Sequence, residues 1–318
     1  MQNNFAASAH WQGQFEENGL GQWAEKLRGE LKASSVTLGL VFMSPQYFPD
    51  AEAILEILRL HAKIPLLIGC SSQSLISGAQ EMEDAEGIVL GIYHLPDAEL
   101  TPFRFTQEEI EEATANPTYW REKTKLTPEQ VNGWIVFADP FSIDAESWLQ
   151  EWNEAYAPKP ILGGLASGDF TTQSTQVYLN SDVFNEGGVA LAIRGNLSIT
   201  SVISQGCTPI GDTWTITKVE KNYIHEIGNR PAYEILVETV NALPFEEQQK
   251  VRGNLFVGLV VNEYLEEFHR GDFLIRNIIG VDPRTGSLEV GAFPLQGQTL
   301  LFQRRAATAS NEVMNFLL

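Results

Sequence analysis

The feature that most constrains this chain is a repeat. Moved 95 places along the sequence, Val41-Phe42 falls on Val136-Phe137, Pro45 on Pro140 and Glu56 on Glu151. With no gap, Ala62 then meets Ala157, Pro65 meets Pro160, Leu67 meets Leu162, Gly69 meets Gly164 and Ser72 meets Ser167. Past the glycine loop, a shift of 101 brings Gly87-Ile88-Val89-Leu90 onto Gly188-Val189-Ala190-Leu191, so the intervening loops differ by six residues. The identities fall on prolines, glycines and core positions, which set turns and packing. Two copies of one supersecondary unit explain them better than chance likeness between amphipathic segments.

Each copy predicts strand, helix, strand, loop, strand, strand. In the first, residues 36–43 are apolar and β-branched at intervals, and Ser44-Pro45 closes the run. Residues 50–61 put Ile54, Leu55 and Leu58 on one helical face. A helix between two nearby strands predicts a parallel crossover. Residues 87–93 and 99–105, joined by a short polar turn, predict an antiparallel ladder. Upstream, Trp23, Leu27 and Leu31 recur every four residues, which suits a surface helix over 15–32. Thr106 with Glu109 and Thr127 with Gln130 write capping boxes, so 106–130 reads as a charged helical excursion.

From residue 207 the texture changes to alternating strands, with a helix starting near Pro231 and a hairpin turning at Asp282-Pro283-Arg284-Thr285-Gly286. The expected fold class is α/β (α+β). An internally duplicated mixed-sheet N-terminal domain, layered αββα, precedes a smaller, mostly antiparallel C-terminal domain. The expected divisions are a helical lead-in over 1–35, a domain over 36–206 with repeats of about 36–105 and 131–204, and a second domain over 207–318.

A formal charge of −20 repels phosphate backbones and anionic lipid, so neither nucleic acid nor membrane insertion is expected. No apolar run approaches the roughly 20 residues that span a bilayer. The N-terminus shows no basic and apolar signal pattern, and the two cysteines, Cys70 and Cys207, match no metal-ligand spacing. Free thiols in a reducing compartment are expected, and hence a cytoplasmic location.

Three stretches in order carry a family resemblance: Ser204-Gln205-Gly206-Cys207-Thr208-Pro209-Ile210-Gly211; a helix after Gly228-Asn229-Arg230-Pro231-Ala232; and Gly271-Asp272-Phe273 through Asp282-Pro283 with Gly286. With the Gly69-Cys70-Ser71 and Gly163-Gly164 loops upstream, the sequence resembles the FIST sensory family over nearly its whole length. Residues of about 36–206 look like its N-terminal domain and those of about 207–305 like its C-terminal domain. The resemblance implies a small-ligand-binding, signal-transduction protein, with amino acids as the ligand usually proposed for the family. Some relatives look like haem-dependent gas sensors acting beside histidine kinases. Family members usually continue past the equivalent of Leu318 into a cysteine–glycine–arginine–glycine segment. Nothing here matches it, which leaves truncation and a natively short chain both open.

The best candidate site lies in the loops after equivalent strands, Gly69-Cys70-Ser71-Ser72 and Gly163-Gly164 with Ser167 and Asp169. Ligands of α/β sheets bind beyond the carboxyl ends of parallel strands, where glycines let backbone N–H groups approach. Serine hydroxyls and the Asp169 carboxylate suit a zwitterion. The alternative is a tight turn that needs glycine for its own geometry. Gln205 and Cys207, at the domain junction, are further ligand-contact candidates. Cys70 has no histidine beside it in sequence and its ungapped counterpart is Leu165, so a small buried hydrophobe is expected there rather than a nucleophile.

No cofactor is expected. Haem needs a histidine on an apolar wall, and His61, His94 and His225 read as packed or surface residues. No nucleotide-binding, metalloprotease or nucleophile-elbow motif occurs, so no enzyme is expected. The leading expectation is a cytoplasmic sensor of a small ligand that signals to a separate protein partner. Behind it stand a scaffold without a ligand, then a haem sensor or an enzyme.

Overall fold

The computed structural model describes residues 5–78, 80–83, 86–169, 171–201, 206–269 and 271–306. The chain divides into two compact units, Met1–Ser201 and Val202–Leu318.

In the first unit, β1 (Ala6–Trp11) and α1 (Glu17–Glu30) precede the first repeat. That repeat comprises β2 (Leu38–Met43), α2 (Ala51–His61), β3 (Leu67–Ser71), the small hairpin β4 (Ser74–Ser77) and β5 (Gln80–Glu83), β6 (Ile88–Tyr93) and β7 (Ala98–Phe105). Helices α3 (Gln107–Ala115) and α4 (Tyr119–Thr124) make the excursion. The second repeat comprises β8 (Gly133–Ala138), α5 (Ala145–Tyr156), β9 (Ile161–Leu165), β10 (Val177–Leu179), β11 (Asp182–Phe184) and β12 (Gly188–Gly195).

Two mixed sheets result, ordered β1-β6-β2-β3-β10-β11 and β7-β12-β8-β9. In each, the predicted crossover pairs its strands in parallel, β2 with β3 and β8 with β9. Leu38, Ile68 and Val177 of one sheet and Phe137, Val189 and Leu191 of the other share one core, so the sheets pack face to face. On the outer face of the first, Leu20, Leu27, Ile54 and Leu58 of α1 and α2 cover Val41 and Met43. On that of the second, Ile110, Trp120, Trp148 and Trp152 cover Trp134 and Val136. The layering is αββα. Central strands buried on both faces explain why residues 38–43 run apolar instead of alternating.

Four details depart from expectation. Strands β6 and β7 do not form a ladder: β6 pairs with β1 and β2, whereas β7 crosses to pair with β12. The second repeat returns the exchange by sending β10 and β11 to the first sheet. Alternation within one repeat cannot reveal that its strands serve two sheets. The lead-in also contains a strand as well as its helix, β1 being an edge strand against β6. Both capping boxes form, but the second opens only one 3-10 turn, Pro128–Gln130.

The fourth departure is the register of the repeat. Val41 lies opposite Gly69, and Val136 lies opposite Gly163, not Gly164. A Cβ at Gly69 or Gly163 would sit 1.8 Å from the carbonyl oxygen of Val41 or Val136. The connection into β9 is residues 157–160, one shorter than residues 62–66, and this moves the strand by one place. Cys70 therefore corresponds to Gly164, and Ser71 to Leu165. The later strands shift too: Ser44 N–H donates to Gly87 O at 3.0 Å and Asp139 N–H to Gly187 O at 2.8 Å, so Gly87 corresponds to Gly187.

The second unit comprises β13 (Cys207–Glu220), β14 (Tyr223–Ile227), β15 (Arg230–Pro231), α6 (Ala232–Asn241), α7 (Phe245–Lys250), β16 (Leu255–Val260), β17 (Phe273–Asp282), β18 (Ser287–Val290) and β19 (Thr299–Arg305). Its strands are ordered β13-β19-β16-β17-β18-β14-β15, all antiparallel, and β13 pairs with β14 as well. The sheet thus closes on itself. Register shifts between Ile210 and Trp214 and near Lys218 bend β13 enough to serve both ends. Ile216, Ile224, Val257, Leu288 and Phe302 fill the interior, and α6 adds Ile235 and Leu236.

Candidate functional site

The carboxyl ends of the four parallel strands, β2, β3, β8 and β9, lie in the first unit and carry a run of buried polar groups. Ser44 follows β2, Ser71 ends β3, and Asp139 follows β8, while Thr175 and Gln176 lead into β10; all five are buried. Buried polar groups must find partners: Ser44 and Ser71 find them in Gly87 and Gln176 along the first sheet, and Thr175 and Asp139 find each other across the two sheets. Ser167 N–H donates to Ser71 O at 3.0 Å, and Gln73 N–H donates to Ser167 Oγ at 3.0 Å. Thr175 Oγ1 donates to Asp139 Oδ1 at 2.6 Å, and Phe141 N–H to the same oxygen at 3.2 Å. The loops that the repeat singled out, one from each copy, are therefore clasped directly together.

Their individual residues differ in what they leave free. All three polar atoms of Ser71 are engaged, its N–H with Gln176 O at 2.8 Å and its Oγ as acceptor from Gln176 N–H at 3.0 Å. Ser72 is half-buried, its N–H on Met43 O and its hydroxyl on Ser74 O. Ser167 is half-buried beside it, whereas Gly163 and Gly164 are exposed on β9. Asp169 is exposed too, and accepts from Thr171 N–H at 2.7 Å and Thr172 N–H at 3.4 Å. The Thr171 amide hydrogen bond leads in holding its carboxyl below the usual range. It is charged at neutral pH and sits at the rim of the clasp.

Gly69 forms part of the buried β3 floor, where its lack of a side chain allows the close approach of Val41 O. Cys70 points into the core between the sheets, and burial pushes its thiol up to about 12. At pH 8 about one thiol in ten thousand would then be ionised. Native protein treated with iodoacetamide at pH 8 should leave Cys70 unmodified until it unfolds, as read by peptide mapping; stoichiometric labelling of the folded chain would contradict this placement.

Cys207 opens β13 in the second unit, and its thiol is also raised by burial, partly offset by Arg305. Gln205 lies outside the described residues. Asp139, Thr175 and Gln176 were not among the sequence candidates. The signal available for Asp139 was Asp139-Pro140 standing where the first repeat has Ser44-Pro45.

His10 and His61 do not suit haem. His10 and His61 line surface depressions of about 440 and 500 Å³, with walls that carry Lys26 and Glu30 in one case and Glu25, Arg28 and Lys63 in the other. Neither offers the apolar wall that a macrocycle needs. His61 Nδ1 lies 2.8 Å from Glu25 Oε1, His225 Nδ1 lies 2.8 Å from Ser287 Oγ, and His94 stacks on Phe5. None of the helices described is long and apolar enough to cross a membrane.

A Mycobacterium tuberculosis protein, uncharacterized protein Rv0628c, is 29% identical over 289 residues, which are 91% of this chain and 73% of that protein. The Mycobacterium bovis uncharacterized protein Mb0898c is 28% identical over 292 residues, 92% of this chain and 72% of its own length. The model of the FIST N domain matches residues 37–230, from the start of the first repeat into the second unit. The chain belongs to the FIST N domain family, a family of sensory domains in signal transduction.

Proposed function

We propose that this chain is a sensor that binds a small zwitterionic ligand, such as an amino acid, over the clasped loops of its two repeats, and signals to a separate protein partner. One observation carries the reading: the glycine–serine loops of both copies meet at the carboxyl ends of the parallel strands through Ser167 and Ser71. Around that joint Ser72 and Ser167 supply hydrogen-bonding groups, and Asp169 supplies a fixed negative charge for an ammonium. The second unit, on this reading, is the family's C-terminal domain. The protein works in the cytoplasm and catalyses no reaction; the depth and raised pKa of Cys70 support that, since a nucleophilic thiol needs an exposed, easily ionised sulfur.

A thermal-shift screen against the amino acids, with haem alongside, tests it. A ligand at 100 times its Kd should add about 2.7 kcal/mol to the stability of the unit that binds it. An amino acid that raises the melting temperature of the wild-type chain, and does so less in Asp169→Asn, is the expected result. Flat curves with every amino acid would remove the zwitterion reading.

A specific feature favours a second reading, an interaction surface on the second unit. Val261, Tyr264, Phe293 and Leu295 are all more than half exposed. Their loops are tied together by Glu263 accepting from Thr299 N–H and Gln298 Nε2 donating to Val260 O. Apolar side chains gathered in this way on a soluble surface suit a protein partner.

A further inference from the structure

Duplication gives the third strand of each repeat the same backbone but different neighbours. In β3 the N–H and C=O groups of Leu67, Gly69 and Ser71 point away from β2, and the segment leading through β10 takes them up. Ser71 N–H donates to Gln176 O at 2.8 Å, Asn180 N–H donates to Leu67 O at 2.7 Å, and Tyr178 stands opposite Gly69. The equivalents in β9 are Ile161, Gly163 and Leu165. Their neighbours Pro160 and Ala166 face β8, through Trp134 N–H on Pro160 O and Ala166 N–H on Ala138 O. Ile161, Gly163 and Leu165 therefore face outward, and among the described residues no strand pairs with that side of β9. Gly163 and Gly164 are exposed, and Leu165 is 52% exposed. Open edges are normally blunted by a charge, a proline or a bulge, and Ile161-Leu162-Gly163-Gly164-Leu165 contains none of them.

We propose that β9 of a second copy of this chain closes this edge, running antiparallel about a two-fold axis at Gly163. With the axis there, Gly163 faces its own mate, and Ile161 faces Leu165 of the partner subunit on both sides of it. Outward N–H groups then meet outward C=O groups along the whole strand, the antiparallel pairing that β10 already gives β3. Ile161 packs toward the helical layer, and Leu165, four residues on, lies on the same face. The contact thus sets an isoleucine against a leucine twice, and glycine against glycine between them. This self-matching is what a two-fold interface requires.

Charge selects the same partner. The chain carries −20 overall, yet between Pro158 and Gly168 its only charged residue is Lys159. This strip is where a second acidic copy meets least repulsion, with a cation turned toward the partner's negative surroundings. Repulsion between the remaining surfaces is screened by salt, so added salt should strengthen the dimer.

Sedimentation equilibrium of the full chain at concentrations up to about 100 μM, a range suited to micromolar Kd values, reads the state directly. Wild type should dimerise, more tightly in about 0.5 M than in about 0.05 M NaCl. Leu165→Asp sets a carboxylate into the strip, and Leu165→Pro removes an N–H that the sheet itself does not use. Each should raise Kd at least about ten-fold while leaving the circular dichroism spectrum unchanged. Amide exchange adds a second readout: Ile161, Gly163 and Leu165 should be protected at high concentration and lose protection on dilution. A wild-type chain that stays monomeric throughout overturns the proposal, whether or not the edge takes a strand from another protein. A dimer that both substitutions leave intact overturns it too.

Discussion

Replacing Trp152 by alanine is expected to destabilise the first unit by about 3–5 kcal/mol, the cost of a large core cavity. Trp152 sits on the buried face of α5, 1% exposed, at the centre of an aromatic cluster. Its ring centroid lies 4.8 Å from that of Trp120, 4.9 Å from Trp134, 5.1 Å from Trp148 and 5.3 Å from Tyr156. These rings make up the middle of the core between α3–α5 and the second sheet, and stiff aromatic neighbours collapse poorly into a gap. The indole N–H groups of Trp134, Trp148 and Trp152 find no acceptor among the described residues. Part of the loss is therefore offset, because the substitution removes one buried, unpaired donor. Urea unfolding followed by tryptophan fluorescence measures the change; a loss below about 1.5 kcal/mol would mean that the cluster is far looser than its geometry indicates.

The second large effect belongs to the glycines that let parallel strands approach. Gly69→Ala should destabilise the first unit by about 3 kcal/mol or more, at the upper end of overpacking costs. The added Cβ would meet Val41 O at 1.8 Å, a backbone atom held in a central strand that has no room to retreat. Gly163→Ala should be costly as well, since it meets Val136 O at the same distance with φ at +147°. Gly164→Ala meets nothing within 4 Å and should be nearly silent. The three melting temperatures together test the register of the duplication: equal losses at Gly163 and Gly164 would contradict the ladder described for β9.

Much of this fold could be read from residues whose chemistry is local. Prolines, glycines and helix faces repeated at matching intervals reported the duplication, its parallel crossovers and the layered packing. Both capping boxes were legible because an N-cap is a contact within four residues. The exchange of β7 and β10–β11 between sheets was not, because strand partners far apart in sequence leave no local mark. The ungapped alignment failed by one place for a similar reason. Deleting one residue from a loop is invisible when Gly163 and Gly164 stand side by side and either satisfies the match.

The candidate site divides along the same line. Ser71 and Ser167 stood out through the repeat, and the structure joins them. Asp139 and Thr175 make a buried pair whose members come from different strands of different sheets, which no spacing rule predicts. Cys70 looked like a small buried hydrophobe from its context, and its side chain does lie in the core between the sheets. The sequence comparison with Leu165 nevertheless pointed at the wrong counterpart, since the ladder sets Gly164 there.

On the proposed function, one ligand acts on both repeats at their clasped loops. Amide chemical shifts recorded while an amino acid that stabilises the chain is titrated in test it most directly. The amides of Gln73 and Ser167 should move together with one saturating curve, with shifts centred on residues 71–73 and 163–169. Shifts confined to only one loop, or centred elsewhere while both loops stay still, would contradict it.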